Sequence, residues 1–132
     1  MLSSFFVALA AAYIRTDTGG ELPSRDEQRA TITDFAAQSG HRLVAVYEDL
    51  DAPGQLLYHR LGIKAAIDNI KEEEDWEVLI VAHPRAISDT DSAVHEFVHK
   101  LSLYNNRLES PMRSWDEFLE RMKSYRRAMS RK

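Results

Sequence analysis

The segment 8–28 constrains the fold most, because it combines an apolar strand, a polar turn and a capped helix. The strand pattern ends at Arg15, and glycines at positions 19 and 20 free the backbone to bend in the turn. Ser24 and Glu27 form an S-x-x-E capping box, after which apolar residues recur at helical spacing. In an open α/β sheet, ligands bind at the carboxyl ends of strands, so this turn is the first candidate for a functional site.

The rest of the chain repeats the alternation of strand and helix. Strands are predicted over 43–47 and 76–82, with a short connecting strand within 103–110, and Gly40 fits the C′ position of the first helix. Two further helices are indicated by apolar stripes, which consist of Ile63, Ala66, Ile67 and Ile70 and of Val94, Phe97, Val98 and Leu101. We therefore expect a three-layer α/β fold with a mostly parallel sheet of four or five strands.

Length and composition predict one core. The chain has 132 residues, of which 44% are hydrophobic, and it has no cysteine. Thiolate catalysis, zinc sites built on cysteine and disulfides are thereby excluded, and the composition is compatible with a reducing cytoplasm, the predicted location. The apolar N-terminus, MLSSFFVALAAA, lacks the basic region of a signal peptide and leads into a strand pattern, so we do not expect export or a membrane segment.

Charge divides the chain into an acidic body and a basic tail. Residues 113–132 carry seven basic and three acidic side chains of the 17 and 21 in the chain, which leaves the body at −8 and the tail at +4. We therefore expect residues 1–112 to form the α/β domain and residues 113–132 a basic helix. An acidic body repels phosphate, so DNA contact is predicted for arginines near the first turn and for the tail: Arg15, Arg85, Arg121, Lys123, Arg126 and Arg127.

The last helix is predicted to begin near Ser114, which forms a second capping box with Glu117. One face of it is apolar and consists of Trp115, Phe118, Leu119, Met122, Tyr125 and Met129. Such a face must be covered, either by its own domain or by a second copy of the chain. We expect a projecting helix that forms the interface of a homodimer or higher oligomer.

The first strand and turn resemble a known family. Tyr13-Ile14-Arg15-Thr16-Asp17-Thr18, followed by Gln28, is similar to the Y-x-R-V-S-T opening of the serine recombinases, the resolvases and DNA invertases. In that pattern the serine is the nucleophile, and its position is occupied here by Asp17. The resemblance implies a resolvase-like fold and a DNA-linked role, whereas the reaction would lack its nucleophile.

Two further motifs resemble the same family in part. Arg60-Leu61-Gly62-Ile63 is similar to R-P-G-L, and Arg85 matches the first arginine of D-R-L-x-R. Pro53-Gly54 stands where the family has Ser-Gly, Pro84 replaces the aspartate and Ser88 replaces the second arginine. The resemblance thus implies a vestigial site made of Arg15, Asp17, Gln28, Arg60 and Arg85. We expect Asp17 to pair with Arg15 or Arg85.

These patterns favour a catalytically inactive module that self-associates and assists a DNA-linked or regulatory process, with an unknown protein partner. One alternative is an active recombinase or a metal-dependent nuclease, and another is a protein-binding adaptor without DNA contact. The family continues into a separate DNA-binding domain after the last helix, so sequence-specific docking is expected to be missing from this chain.

Two patterns suggest a metal site as an alternative. Asp17, Asp49 and Asp51 follow two strands and could hold Mg²⁺ together. His95-Glu96-Phe97-Val98-His99 matches H-E-x-x-H, with Glu117 or Glu120 as a third zinc ligand. Both histidines lie roughly 110 to 150 degrees from the apolar stripe at ~100 degrees per residue, on the predicted solvent side. We expect no metal or cofactor, and His41, His59 and His83 are predicted to be surface or loop residues.

Overall fold

The structure is a computed structural model and describes residues 8–53 and 56–111. Strands and helices alternate strictly over this part of the chain. The elements are β1 (Leu9–Arg15), α1 (Arg25–Ser39), β2 (Arg42–Asp49), α2 (Leu61–Glu72), β3 (Val78–Ile80), α3 (Asp91–Ser102) and β4 (Arg107–Glu109). Short 3₁₀ turns at Leu57–His59 and Pro84–Ala86 precede α2 and α3.

The four strands form one sheet in the order β2-β1-β3-β4, and every pair is parallel. Arg15 at the end of β1 pairs in register with Asp49 at the end of β2. Ala12 pairs with Ile80, and Ile80 pairs with Glu109 on the far edge. The predicted α/β class with a four-stranded parallel sheet is confirmed.

Each face of the sheet has its own apolar core. On one face the side chains of β1 and β3 meet α1, and the buried residues are Ala8, Ala10, Ala12, Ile14, Ile32, Ala36, Val78, Ile80 and Ala82. On the other face they meet α2 and α3, and the buried residues include Tyr13, Ile63, Ile67, Leu79, Phe97 and Leu101. Because successive side chains of a strand point to opposite faces, β1 contributes to both cores. The predicted three layers are therefore present.

Local capping of α1 follows the prediction from the sequence. The Glu27 amide donates to Ser24 Oγ at 3.2 Å, and the Ser24 amide donates to a Glu27 carboxylate oxygen at 3.0 Å. These hydrogen bonds lower the pKa of Glu27. Gly40 closes the helix in the left-handed conformation with φ of 75°.

The two strands on the β4 side are shorter than the sequence suggests. The predicted strand 76–82 is regular only over Val78–Ile80, and the connecting strand 103–110 only over Arg107–Glu109. Leu103 and Tyr104 instead form a turn that closes α3, in which Asn105 takes a left-handed φ of 62°. In the part of the chain that the structure describes, no helix is long and apolar enough to cross a bilayer.

Candidate functional site

The site lies where the chain changes direction across the sheet. β1 leads into α1 on one face, whereas its neighbour β3 leads into α3 on the other face. Loops that diverge in this way leave a crevice at the carboxyl ends of the two strands, which is where open α/β sheets bind ligands. The residues at this crevice come from the segments 15–23 and 83–90.

Arg15 ends β1 and is fully buried, with no exposed surface. Its Nε donates to the Ala86 carbonyl at 3.0 Å, Nη1 donates to the Ala52 carbonyl at 2.8 Å, and Nη2 donates to the Arg85 carbonyl. Nη2 also lies 3.3 Å from a carboxylate oxygen of Asp89. Burial lowers the pKa of Arg15, and the nearby Arg60 lowers it further. The guanidinium thus fastens β1 to the loops that follow β2 and β3.

Asp17 organises the turn after β1. Its carboxylate accepts a hydrogen bond from the Glu21 amide at 3.0 Å, and its carbonyl accepts one from the Gly20 amide at 3.3 Å. Gly20 has a φ of 70°, which a residue with a side chain rarely adopts. The expected pairing of Asp17 with Arg15 or Arg85 is wrong, because those arginines pair with Asp89 and Glu21 instead.

The turn borders a surface groove of about 680 Å³ next to the first residues of α1. Three carboxylates line it: Asp17, Glu21 and Glu27. Their charge opposes the entry of a phosphate group from this side.

Gln28 joins α1 to the end of β1. Gln28 is 1% exposed, and its side-chain amide nitrogen donates to the backbone carbonyls of Arg15 at 2.7 Å and of Pro23 at 2.8 Å. Its side-chain oxygen, Oε1, accepts from the backbone amide of Arg15 at 3.4 Å. Gln28 therefore positions Arg15 and holds the beginning of the helix against the strand.

Arg60 contacts the same carbonyl as Arg15. Its Nη1 donates to the Ala86 carbonyl at 3.2 Å and to the Tyr13 hydroxyl at 3.3 Å. Its Nε and Nη2 are buried, and neither has a hydrogen-bond partner among residues 8–53 and 56–111. An unpaired buried donor is costly, more so on a charged group, so these two N–H groups are suited to an anion or a water molecule.

Asp49, which ends β2, has a structural role that the sequence did not indicate. One of its oxygens accepts from the Gly62 amide at 2.8 Å, and the other accepts from the Ile63 amide at 3.1 Å and from the Tyr13 hydroxyl at 2.8 Å. Arg60, at the N-cap position of α2, makes no side-chain capping bond, so Asp49 caps this helix from the neighbouring strand.

This role argues against the magnesium alternative. Asp49 is directed at α2, and the Asp51 amide donates to Thr16 Oγ1 at 2.9 Å in a separate part of the loop. Among the described residues, no group of three His, Cys, Asp or Glu side chains is arranged to hold a metal ion.

Arg85 is the exposed arginine of the crevice. Its side chain is 52% exposed, and its Nη2 lies 3.5 Å from Glu21 and 4.0 Å from Asp89. Ser88, which the resemblance aligned with the family's second arginine, is buried, and its hydroxyl accepts from the Thr90 amide at 3.3 Å. Asp89 and Glu21 thus contact Arg15 and Arg85, which are the two arginines in the described part of the chain that were expected to contact DNA. The sequence did not indicate these ion pairs, because Arg15 is far along the chain from Asp89 and Arg85 is far from Glu21.

The H-E-x-x-H pattern lies on α3. The buried face of this helix consists of Val94, Phe97 and Leu101, and His99 is exposed. His95 is partly exposed. This matches the predicted placement of both histidines away from the apolar stripe.

His41 lies in the loop between α1 and β2, in agreement with its prediction as a surface or loop residue. Its side chain is 3% exposed and its Nε2 lies 2.8 Å from Glu109, a partner that the sequence did not indicate. His59 is exposed in a 3₁₀ turn, and the ring of His83 accepts a hydrogen bond from the Arg85 amide at 3.1 Å.

Several predicted functional residues lie outside the described part of the chain. These are Gly54, the possible zinc ligands Glu117 and Glu120, the DNA-contact residues Arg121, Lys123, Arg126 and Arg127, and the apolar face Trp115, Phe118, Leu119, Met122, Tyr125 and Met129. Their roles stay predictions.

Comparisons with known proteins identify a family by sequence and a fold by structure. The protein-family model described as resolvase, N-terminal domain, matches residues 10–130 of this chain. The N-terminal catalytic domain of TP901-1 integrase has a TM-score of 0.78 at 20% identity, over 93% of this chain and 97% of that one. No curated protein sequence matches the chain.

Two further solved structures are similar. The C-terminal catalytic domain of ISC1926 TnpA, an IS607-like serine recombinase, has a TM-score of 0.66 at 17% identity, over 77% of this chain and 66% of that one. A resolvase family site-specific recombinase from Streptococcus pneumoniae has a TM-score of 0.65 at 16% identity, over 93% and 90%. At these identities the likenesses establish the fold.

Proposed function

Because the chain belongs to the resolvase N-terminal domain family, we propose that it is a catalytically silent recombinase-like module that self-associates and assists a DNA-linked or regulatory process. The observation that carries this proposal is the state of Asp17. The resemblance aligns it with the serine nucleophile, and one of its carboxylate oxygens accepts a hydrogen bond from the Glu21 amide. Asp17 thus holds the turn together while its negative charge lies at the groove, where it opposes an incoming phosphate.

The chemistry of a carboxylate supports the same conclusion. A serine oxygen that attacks a DNA phosphodiester forms a phosphoserine link, which keeps the bond energy for religation. Asp17 repels the incoming phosphate, and an acyl phosphate would be hydrolysed rather than religated. With Asp17 at this position, both the attack on the phosphodiester and the later religation of the DNA would therefore be lost.

The buried arginine of the crevice, Arg15, is also committed to internal contacts. Arg15 uses its guanidinium on three backbone carbonyls and on Asp89, and Ser88 supplies no positive charge where the family has a second arginine. Preorganised cationic donors contribute much of the stabilisation of a phosphoryl-transfer transition state. The use of Arg15 for internal contacts fits a module that keeps the fold but not the reaction.

Self-association and DNA contact are assigned to residues 113–132, in which basic side chains outnumber acidic ones by seven to three. Recombinase domains of this kind generally oligomerise and bind DNA. A basic segment on an acidic body predicts weak binding that does not depend on DNA sequence and decreases steeply with salt.

Two measurements test the proposal. The wild-type chain, incubated with a nicked suicide duplex and run on a denaturing gel, is expected to give no shifted protein band. Retention on non-specific DNA at low salt, lost as salt is raised, is expected if the tail contacts phosphates. Retention that is absent even at low salt would favour the protein-binding adaptor, and a shifted band would refute catalytic silence.

A second candidate function rests on the two unpaired donors of Arg60. These N–H groups of a buried cation, next to Tyr13 and Ala86, are suited to donate hydrogen bonds to a phosphate. This favours an active recombinase or nuclease that uses another nucleophile or a metal-bound water. The melting temperature, measured with and without excess Mg²⁺ or Zn²⁺, tests whether such an enzyme depends on a metal. A ligand at ~100 times its Kd stabilises the fold by roughly 2.7 kcal/mol. A rise of several degrees in the melting temperature would support the metal-dependent enzyme, whereas the catalytically silent module predicts no rise.

A further inference from the structure

Asp89 holds one carboxylate oxygen between the two arginines of the crevice. Its Oδ1 lies 3.3 Å from Nη2 of Arg15 and 4.0 Å from Nη2 of Arg85. The Asp89 side chain is 48% exposed, whereas the Arg15 side chain is fully buried. The carboxylate therefore lies between the buried guanidinium and the solvent.

The other hydrogen-bond partners of Arg15 cannot be replaced by an external anion. They are the carbonyls of Ala52, Arg85 and Ala86, which belong to the backbone of the two loops that surround the strand end. Asp89 is a side chain and can leave by rotation. Because the Asp89 side chain is 48% exposed, water and salt reach its side of the ion pair and screen it. Of the contacts that Arg15 makes to described residues, that with Asp89 is the one an external anion can replace.

The position of this oxygen suits an oxyanion. A phosphate or carboxylate oxygen that is shared by two guanidinium groups is held by charge-assisted hydrogen bonds. Asp89 supplies an oxygen that is hydrogen-bonded to Arg15 at 3.3 Å and forms an ion pair with Arg85 at 4.0 Å. Glu21 adds a second carboxylate 3.5 Å from Arg85. Asp89 and Glu21 offset the charges of Arg15 and Arg85, and a phosphate oxygen that binds between the two arginines takes the place of the Asp89 oxygen.

We propose that Asp89 is an internal competitor for oxyanions at the Arg15–Arg85 pair, and that its carboxylate limits how tightly this crevice binds a phosphate group. The competition applies to any small phosphate-like anion. That DNA is the source of the phosphate rests on the proposed function.

Inorganic pyrophosphate, titrated at constant ionic strength, tests the competition without DNA. The Nε–H resonance of Arg15 in ¹H–¹⁵N spectra reports binding at the site. The variants Asp89→Asn and Asp89→Ser remove the charge, Asp89→Glu keeps it, and Asp91→Asn removes an exposed charge two residues away in the first turn of α3. The two neutral variants guard against a failure of either one to fold, which thermal unfolding detects.

The proposal predicts that pyrophosphate binds Asp89→Asn or Asp89→Ser at least about fivefold more tightly than the wild type, whereas Asp91→Asn and Asp89→Glu stay close to the wild type. Equal affinities for Asp89→Asn and Asp91→Asn would overturn it, because the gain would then reflect net charge alone. A complete absence of binding in all variants would also overturn it, since the arginines would be unreachable without the carboxylate. A DNA adduct or a lack of DNA retention would refute the proposed function and leave this result unaffected.

Discussion

Asp49 accepts a hydrogen bond from the backbone amide of Gly62 at 2.8 Å and so caps a helix that begins 12 residues later in the chain. The absence of a side chain at position 62 makes this approach possible. A Cβ there would lie 2.7 Å from the Asp49 carboxylate and 2.7 Å from the Glu48 carbonyl. The end of β2 and the beginning of α2 are thus joined by a contact that only glycine permits.

Gly62→Ala is therefore expected to destabilise the fold. The close Glu48 carbonyl belongs to a strand and cannot rotate away, so the overpacking should lower the free energy of unfolding by about 1–3 kcal/mol. Gly19→Ala is the matched control, because its nearest neighbour is a flexible side-chain atom 4.0 Å away. Urea denaturation measures both. A midpoint for Gly62→Ala equal to that of Gly19→Ala would contradict the proposed contact.

Arg15→Lys is expected to lower stability although it keeps the charge. The ammonium group cannot reproduce the planar fork that reaches the carbonyls of Ala52, Arg85 and Ala86, so buried acceptors would lose their donors, at a cost of about 2–3 kcal/mol. Arg85→Lys, on a half-exposed side chain, should change stability by less than about 0.5 kcal/mol. Equal losses in chemical denaturation would mean that Arg15 does not fasten the loops.

Tyr13→Phe is expected to change the dependence of stability on alkaline pH. Burial raises the pKa of Tyr13 well above 10.0, its usual value. Above pH 10 the hydroxyl therefore loses its proton in the unfolded chain before it does so in the folded one, and the wild type loses stability as the pH rises. The Phe variant lacks this contribution, so its free energy of unfolding should fall less steeply above pH 10. The exposed Tyr104→Phe is the control, and equal slopes for the two variants would contradict the buried hydroxyl network.

Local patterns predicted the elements that depend on neighbours in sequence. The capping box of Ser24 and Glu27 and the left-handed Gly40 both follow from residues within a few positions of each other. The apolar stripes of α2 and α3 likewise identify their buried faces, for example through Ile63 and Phe97. Such features are fixed by helix geometry and need no knowledge of the sheet.

Contacts across the sheet could not be predicted in this way. Asp49 was considered as a metal ligand, but it caps α2 and binds Tyr13, which is 36 residues away. The Arg15–Asp89 pair spans 74 residues, and no local spacing relates its members. The resemblance to a family located the crevice and its arginines, whereas the internal partners of those arginines depend on loop packing.

The apolar face on residues 113–132 predicts at least a dimer. Replacement of Phe118 and Met122 by Asp puts two charges on that face and should give a folded monomer in size-exclusion chromatography with light scattering. Arg121→Asp with Lys123→Asp changes nearby positions of the polar face and should leave the oligomer intact. A wild-type chain that is already monomeric would contradict this interface.

The central claim is that this chain keeps the recombinase fold without its reaction, and covalent trapping tests it most directly. Wild type and Asp17→Ser are each incubated with a nicked suicide duplex and analysed on a denaturing gel. Asp17→Ser restores a hydroxyl and removes a charge that opposes phosphate, but Pro53, Pro84 and Ser88 still depart from the family pattern. Loss of one well-placed donor costs ~100 to 1000-fold in rate, so the arginine missing at Ser88 should keep even the variant below detection.

The account predicts no shifted protein band for either protein. A band with Asp17→Ser alone would mean that the remaining site is intact and that one substitution had switched it off. A band with the wild type would contradict catalytic silence outright.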